Sequence, residues 1–400
     1  MMRARIFSIA LALAAILGPA AAQAPQAPTF QVEPFWPKPL ANHWLFGSIT
    51  GVAVDSRNHV WVVHRGAASL NARTEMGAAT SPPTAEACCV PAPAVLEFDS
   101  TGNVVGHWGG PGEGYDWPQS PGGIAVDGAG NVWIAAAGPA DPPPGARGSG
   151  RGGRGGTQAP PPPDAHVLKF SADGRFLLQI GTAGKTDGSN STTGLHRPTA
   201  VDVDASAGEV YVADGIVNRR IVVFDAKTGA YKRHWGAHGT KRPDDADIGP
   251  YDPDAPPAKQ FRVPGCVKLA ADGLVYVCDR RNNRIQVFRK DGTYVKEAFV
   301  AKATRGEGSV WSIAFSSDPQ QRFLYVADGS NQKVWILGRQ GLDVVSSVGA
   351  GGRWPGHFFG VGSVAVDSSG NLYTGETYEG KRLQKFAFKG LGQPVTKEQP

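Results

Sequence analysis

Three short stretches set an acid, an amide and a base at turn spacing: Asp214-Gly-Ile-Val-Asn218-Arg219-Arg220, Asp279-Arg280-Arg281-Asn282-Asn283-Arg284 and Asp328-Gly-Ser-Asn331-Gln332-Lys333. Asp and Asn side chains hydrogen-bond nearby backbone amides, and the base can pair with the acid, so this chemistry ties a turn together. Four cysteines offer other chemistry. No CxxC spacing is present, which argues against a four-thiolate zinc site. Cys266 and Cys278 flank Ala271-Asp272-Gly273 symmetrically and are expected to face each other across a hairpin, whereas Cys88 and Cys89 are adjacent. One local disulfide with spare thiols is the expectation. The nine histidines, His43, His59, His64, His107, His166, His196, His234, His238 and His357, show no ligand spacing. The 240–260 stretch carries Asp244, Asp245, Asp247, Asp252 and Asp254, but its spacing matches no EF-hand loop and prolines interrupt it. It reads as a solvated loop. Gly184-Lys185-Thr186 resembles the end of a phosphate loop, yet Gln179 stands where the first glycine is required. The Gly-rich 148–156 run lacks the strand–helix setting of a dinucleotide site, and no G-x-S-x-G elbow occurs.

These residues sit in a repeat. GVAVDSRNHVWVV from Gly51, GIAVDGAGNVWIA from Gly123 and AVDVDASAGEVYVAD from Ala200 alternate apolar residues, turn, and run again into an aromatic strand. CVKLAADGLVYVCD from Cys266, SIAFSSDPQQRFLYVAD from Ser312 and SVAVDSSGNLYTGE from Ser363 do the same. A second hairpin follows most copies, as in RIVVFDAKTGAYKRHWG from Arg220. Two hairpins make a four-stranded unit that cannot bury its faces alone. Six such units predict an all-β, six-bladed propeller of four-stranded antiparallel blades. The sixth copy ends on a third strand, RLQKFAFKG from Arg382, and TFQVEPFWPK at 29–38 is expected to supply the fourth and close the ring. Closure hides an edge that would otherwise invite aggregation.

Bulk properties bound the function. The start, MMRARIFSIALALAAILGPAAAQAP, has the basic, apolar and small-residue regions of a secretory leader over 1–22, leaving 23–400 as one domain. Its apolar run is too short to span a bilayer, so the expectation is an exported chain, periplasmic or extracellular, with no membrane association after cleavage. Losing Arg3 and Arg5 with the leader lowers the formal charge of +5 by two, too small an excess to imply nucleic acid. The Pro-, Gly- and Arg-rich segment at 138–164 reads as a disordered insertion between a blade's second and third strands, and the 240–260 loop as another such insertion. A monomer is expected.

The Asp–Asn–Arg turns resemble the NHL repeat. The order of GVAVDSRNHVWVVHRG at 51–66, RPTAVDVD at 197, ADGIVNRRIVVF at 213 and CDRRNNRIQVF at 278 is similar to the peptidyl-hydroxyglycine amidating lyases and their bacterial relatives. The resemblance implies a channel-mouth site with a zinc ion on three histidines, a catalytic arginine after H-R-G, a tyrosine after the third blade's D-G step, and a second arginine in the fourth blade. It also implies calcium, elimination of glyoxylate and a C-terminal amide product.

On that pattern Arg65 and Arg280 match, while the histidine positions are Gly122, Gly265 and Gly362, and the tyrosine position is Ile216. The ring of equivalent positions reads Thr50, Gly122, Thr199, Gly265, Trp311 and Gly362, and the glycines are expected to widen the mouth, leaving Trp311 as its main apolar surface. A catalytic zinc normally needs three protein ligands, so no cofactor is expected. His64 adjoins Arg65 and is the candidate third catalytic group, and His196 and His357 lie near the ring. Guanidinium forks suit carboxylates, so Arg65 and Arg280 either bind an anionic ligand or tie loops to neighbouring acids. The reading is an exported propeller on the amidating-lyase scaffold that binds a small-molecule or peptide ligand. Its alternatives are a lyase-like enzyme with a rebuilt site and a protein-interaction platform. Asp202 and Lys268 share an inner-strand position in neighbouring blades, and an ion pair between them is expected.

Overall fold

The computed structural model describes residues 26–138 (except 72, 74, 76, 79, 81 and 83), 162–241 and 248–394. The leader, most of the 138–164 insertion, and Asp244, Asp245 and Asp247 lie outside the described residues.

Six four-stranded antiparallel sheets stand as blades around one axis. Their innermost strands are Ile49–Val54, Pro121–Val126, Ala200–Asp204, Pro264–Leu269, Ser312–Phe315 and Val361–Val366, each packed against the next around the ring. The second strands are Val60–His64, Val132–Ala136, Glu209–Asp214, Leu274–Asp279, Phe323–Asp328 and Leu372–Glu376. The sixth sheet takes its outer strand from Ala27–Val32, which pairs antiparallel with Leu383–Gly392 and closes the ring. That strand stops at Val32, short of the expected 29–38 span, because Pro34 and Pro37 lie beyond it. Trp36 instead turns inward and packs between blades 1 and 6 against Phe98 and Tyr373.

The cores lie between neighbouring blades. Tyr211, Val223 and Trp235 of blade 3 pack on Val267, Val275 and Phe288 of blade 4. Each second strand carries a buried aromatic at the same place: Trp61, Trp133, Tyr211, Tyr276, Tyr325 and Tyr373. The polar tips of four of these are held by an acid at or beside the hairpin turn: Trp61 donates to Asp55, Trp133 to Asp127, Tyr211 to Glu209 and Tyr373 to Asp367. A buried indole or phenol needs such a partner, which accounts for the recurring acid in the repeat.

The turn chemistry is structural, as its spacing implied. Arg220 is fully buried; its Nε donates to Asp214 at 3.0 Å and its other nitrogens to the carbonyls of Ser189, Ser191 and Gly194. Arg284 repeats this on Asp279 at 2.8 Å, with Glu297 and the Gln260 carbonyl as further acceptors. In the third copy Lys333 lies over the Trp335 ring, and Trp335 and Asn331 donate to Asp328.

The expected Asp202–Lys268 pair forms at 3.4 Å across the interface of blades 3 and 4. Cys266 is bonded to Cys278 across the blade-4 hairpin and Cys88 to Cys89. No thiol is free among the described residues, which corrects the expectation of spare ones. The 240–260 stretch connects blades 3 and 4 rather than the second and third strands of one blade. Among the described residues no helix is long and apolar enough to cross a membrane.

Candidate functional site

Every innermost strand starts, and every second strand ends, at the same end of the ring. The residues around the starts of the first set and just after the ends of the second therefore share one channel mouth. Thr50, Gly122, Thr199, Gly265, Trp311 and Gly362 stand at the first set of places, and Arg65, Ile216, Arg280 and Tyr378 at the second. Thr50 and Thr199 direct their hydroxyls to backbone carbonyls, Thr50 to Val63 and Thr199 to Pro264. Ile216 is partly buried in the turn after Asp214.

The glycines themselves add little width to the mouth. A Cβ on Gly122 would lie 2.8 Å from the Thr199 carbonyl oxygen. One on Gly265 would meet the Arg280 stem at 3.3 Å, and one on Gly362 would meet Thr377 at 3.2 Å and the Trp311 ring at 3.6 Å. Close backbone and the Arg280 and Trp311 side chains take up the space, which corrects the expected widening. Trp311 is only 7 % exposed and is not the main apolar surface of the mouth. Its Nε1 donates to the Gly308 carbonyl, the Arg280 guanidinium lies 3.5 Å from a ring centroid, and Tyr378 meets it edge-on. None of the three glycine positions presents a ligand atom, so these residues do not fit a three-histidine zinc site.

His64 does not open onto the mouth. It is fully buried; Nδ1 accepts the amides of Gly47 and Gly66, and Nε2 donates to the Pro93 carbonyl at 2.8 Å. Burial pushes its pKa down to about 4, with the Pro93 bond opposing the shift, so it is a neutral brace. Its ring does for blade 1 what Asp214 does for blade 3, where the carboxylate takes the His196 amide. The role expected of His64 as a catalytic group is corrected accordingly. His357 has a buried Nδ1 without a hydrogen-bond partner among the described residues. His64, His196 and His357 form no metal-ligating group among the described residues.

The two arginines differ. Arg280 is tied down: Nε donates to the Glu307 carbonyl at 2.9 Å and Nη2 to its carboxylate at 2.5 Å, while Arg281 takes the other carboxylate oxygen at 2.6 Å. Arg65 has a buried Nε without a hydrogen-bond partner among the described residues. Burial pushes it down from its usual value; the Tyr378 phenol opposes that, and the positive fields of Arg280 and Arg197 add to it. Burial likewise weighs most on Arg280, with Glu307 and Tyr378 opposing. Arg197 is buried and donates to the Ala137 carbonyl at 3.1 Å.

Tyr378, Arg197 and Glu307 are absent from the expected site. Tyr378 had a signal: it follows Glu376 by two places, as Ile216 follows Asp214. A phenol thus stands at the matching place in blade 6, its backbone carbonyl held by the Ser48 hydroxyl at 2.8 Å. Arg197 and Glu307 lie in segments between blades, which the repeat does not register.

The expectation of no cofactor is corrected at the far end of blade 1. Asp55, His59 and Glu97 bring carboxylate and imidazole atoms within 4.8 Å of one another, a candidate metal-coordinating triad. A nitrogen with two carboxylates is a donor set that zinc accepts. The half-exposed Arg57 spans the carboxylates at 2.6 and 2.7 Å, and His59 Nδ1 lies 2.6 Å from Glu97. Burial pulls Asp55 upward, but bonds from the His59 amide, Arg57 and Trp61 outweigh it and hold the carboxyl below its usual value. The triad and Arg65 lie at opposite ends of one hairpin, separated by roughly 17–20 Å at ~3.3 Å per residue. The triad is distinct from the mouth.

Six four-stranded blades with repeated acid–amide–base turns define an NHL-repeat propeller, and residues 261–288 match the NHL repeat family. The chain is a six-bladed NHL-repeat β-propeller related over part of its length to peptidylglycine amidating proteins. It is 34% identical over 171 residues to peptidyl-glycine alpha-amidating monooxygenase A of Xenopus laevis, which is 38% of this chain and 17% of that protein. It is 28% identical over 184 residues to human NHL repeat-containing protein 3, covering 45% of this chain and 44% of that one. The chain thus spans less than a fifth of the first relative and less than half of the second. A solved Bacteroides thetaiotaomicron protein of unknown function shares the fold at TM-score 0.50 and 15% identity, over 86% of this chain and 70% of its own.

Proposed function

We propose that this is an exported propeller on a lyase-related scaffold that binds an anionic small-molecule or peptide ligand at the channel mouth, with Arg65 and Arg280 holding its carboxylate. The observation that carries this is Arg65. A buried donor without an acceptor costs about 1–3 kcal/mol, and a ligand carboxylate removes that cost on binding. Arg280 stacked on Trp311 supplies a second fork with its plane already fixed. Export is supported by the leader and by the paired cysteines, since disulfides persist in oxidising compartments. The protein acts as a monomer in this reading.

The test is calorimetric titration with a short peptide in two forms, free acid and C-terminal amide. The acid should bind and the amide should not, and Arg65→Gln should weaken the acid at least tenfold. Equal binding of acid and amide would remove the carboxylate from the account. The resemblance of Arg65 and Arg280 to the arginines of the amidating lyases favours a second reading, a carbon–nitrogen lyase with a rebuilt site. Glyoxylate release from a hydroxyglycine-terminated peptide, assayed with and without added zinc, distinguishes it from binding alone.

A further inference from the structure

The mouth has too few acids for its arginines. Among the described residues Arg280 and Arg281 share one carboxylate, Glu307, whose oxygens are taken one by each, and Arg65 has no ion pair. The ionisable groups that act on Arg65 are the Tyr378 phenol and the positive Arg280 and Arg197, and no carboxylate is among them. Other acids close by are committed elsewhere. Glu75 and Glu379 both accept from Lys381, whose side chain is 8 % exposed, and Asp214 and Asp279 serve Arg220 and Arg284. Arg65 and Arg280 both sit where burial disfavours their charge. A single negative charge leaves such a cluster short, and a second one is held by the same guanidiniums at little further ordering cost.

We propose that the mouth selects an anion with two negative charges, a dicarboxylate or a phosphate group, over a single carboxylate. The inference rests on the binding reading above and narrows its ligand class. Arg65 Nε is the open donor, and Arg280, held by Glu307 and the Tyr378 hydroxyl and stacked on Trp311, adds its positive charge to the site.

The experiment titrates acetate, malonate and inorganic phosphate at pH 8 into the mature protein at low ionic strength, where charge interactions are least screened. Malonate, phosphate or both should bind at least tenfold tighter than acetate, and the arm that shows the advantage identifies the carboxylate or the phosphoryl source. Arg65→Gln should reduce that advantage to about threefold or less. Glu307→Gln, which frees Arg280 and Arg281 from their shared counter-charge, should tighten dianion binding several-fold. If acetate binds as tightly as malonate and phosphate, the dianion inference fails while the carboxylate reading stands. If no anion binds, the carboxylate reading itself fails. A Glu307→Gln variant that binds dianions more weakly also overturns the charge argument, whatever the fate of Arg65→Gln.

Discussion

Replacing Asp214 by alanine tests what holds the blade-3 side of the mouth. The Asp214 carboxylate is wholly buried and accepts three donors: the His196 amide at 2.8 Å, Asn218 Nδ2 at 2.7 Å and Arg220 Nε at 3.0 Å. Without it, the equally buried Arg220 keeps its charge and loses its only acid among the described residues. Breaking one side of such a pair costs about 3–5 kcal/mol. With an m-value of about 3 kcal/mol/M in urea, the unfolding midpoint should fall by roughly 1–1.7 M. Tryptophan fluorescence reads the transition, since the chain has 10 tryptophans. Asp214→Ala combined with Arg220→Met removes the stranded charge as well, and should cost less than the single change, about 1–3 kcal/mol. What it then lacks is the anchor for the carbonyls of Ser189, Ser191 and Gly194, which water can partly replace. A double variant no more stable than Asp214→Ala alone would refute the reasoning, because uncompensated burial would not be the source of the loss.

Three other outcomes follow. His64 has its pKa lowered to about 4 from 6.5, so it contributes stability above about pH 6.5 that is lost as pH falls towards 4; the loss is about 3 kcal/mol, and wild type should lose stability more steeply than His64→Gln over pH 6.5 to 4, parallel profiles of melting temperature against pH refuting the assignment. Gly122→Ala should cost about 1–3 kcal/mol because its Cβ meets a backbone oxygen, whereas Gly265→Ala should cost under about 1 kcal/mol, and equal midpoints in urea would contradict the packing argument. Arg57→Ala should raise the affinity of the Asp55–His59–Glu97 triad for zinc over wild type, and Glu97→Gln should lower it; zinc titrations indifferent to both changes would identify the triad as an ion-pair cluster only.

The blades were legible because each must solve the same local problem. Alternating apolar strands, a turn acid and a second-strand aromatic recur with little change, and the Asp202–Lys268 pair follows from aligning two copies. What the repeat does not encode was hidden. Glu307 reaches Arg280 from an inter-blade segment, and Asp55, His59 and Glu97 meet only because Glu97 stands opposite Trp61 in the strand register. His64 misled for a related reason. It ends the second strand with its ring turned inward to take the amides of Gly47 and Gly66, whereas Arg65 lies beyond the strand. The glycines misled because sequence shows an absent side chain without showing what backbone approaches in its place.

The seam of the ring bears on the mouth as well as on the edge it hides. Arg65 and Arg280 belong to blades 1 and 4, whereas Tyr378 and Gly362 belong to blade 6, whose outer strand is Ala27–Val32. Blade 6 is thus complete only when segments more than 350 residues apart have met, a contact whose chain-entropy cost is met late in folding. A chain whose seam is open would keep both arginines yet lack a settled blade beside Arg65. On the proposed reading, ligand affinity would double as a reporter of ring closure, distinguishing a sealed propeller from one whose other five blades have already formed.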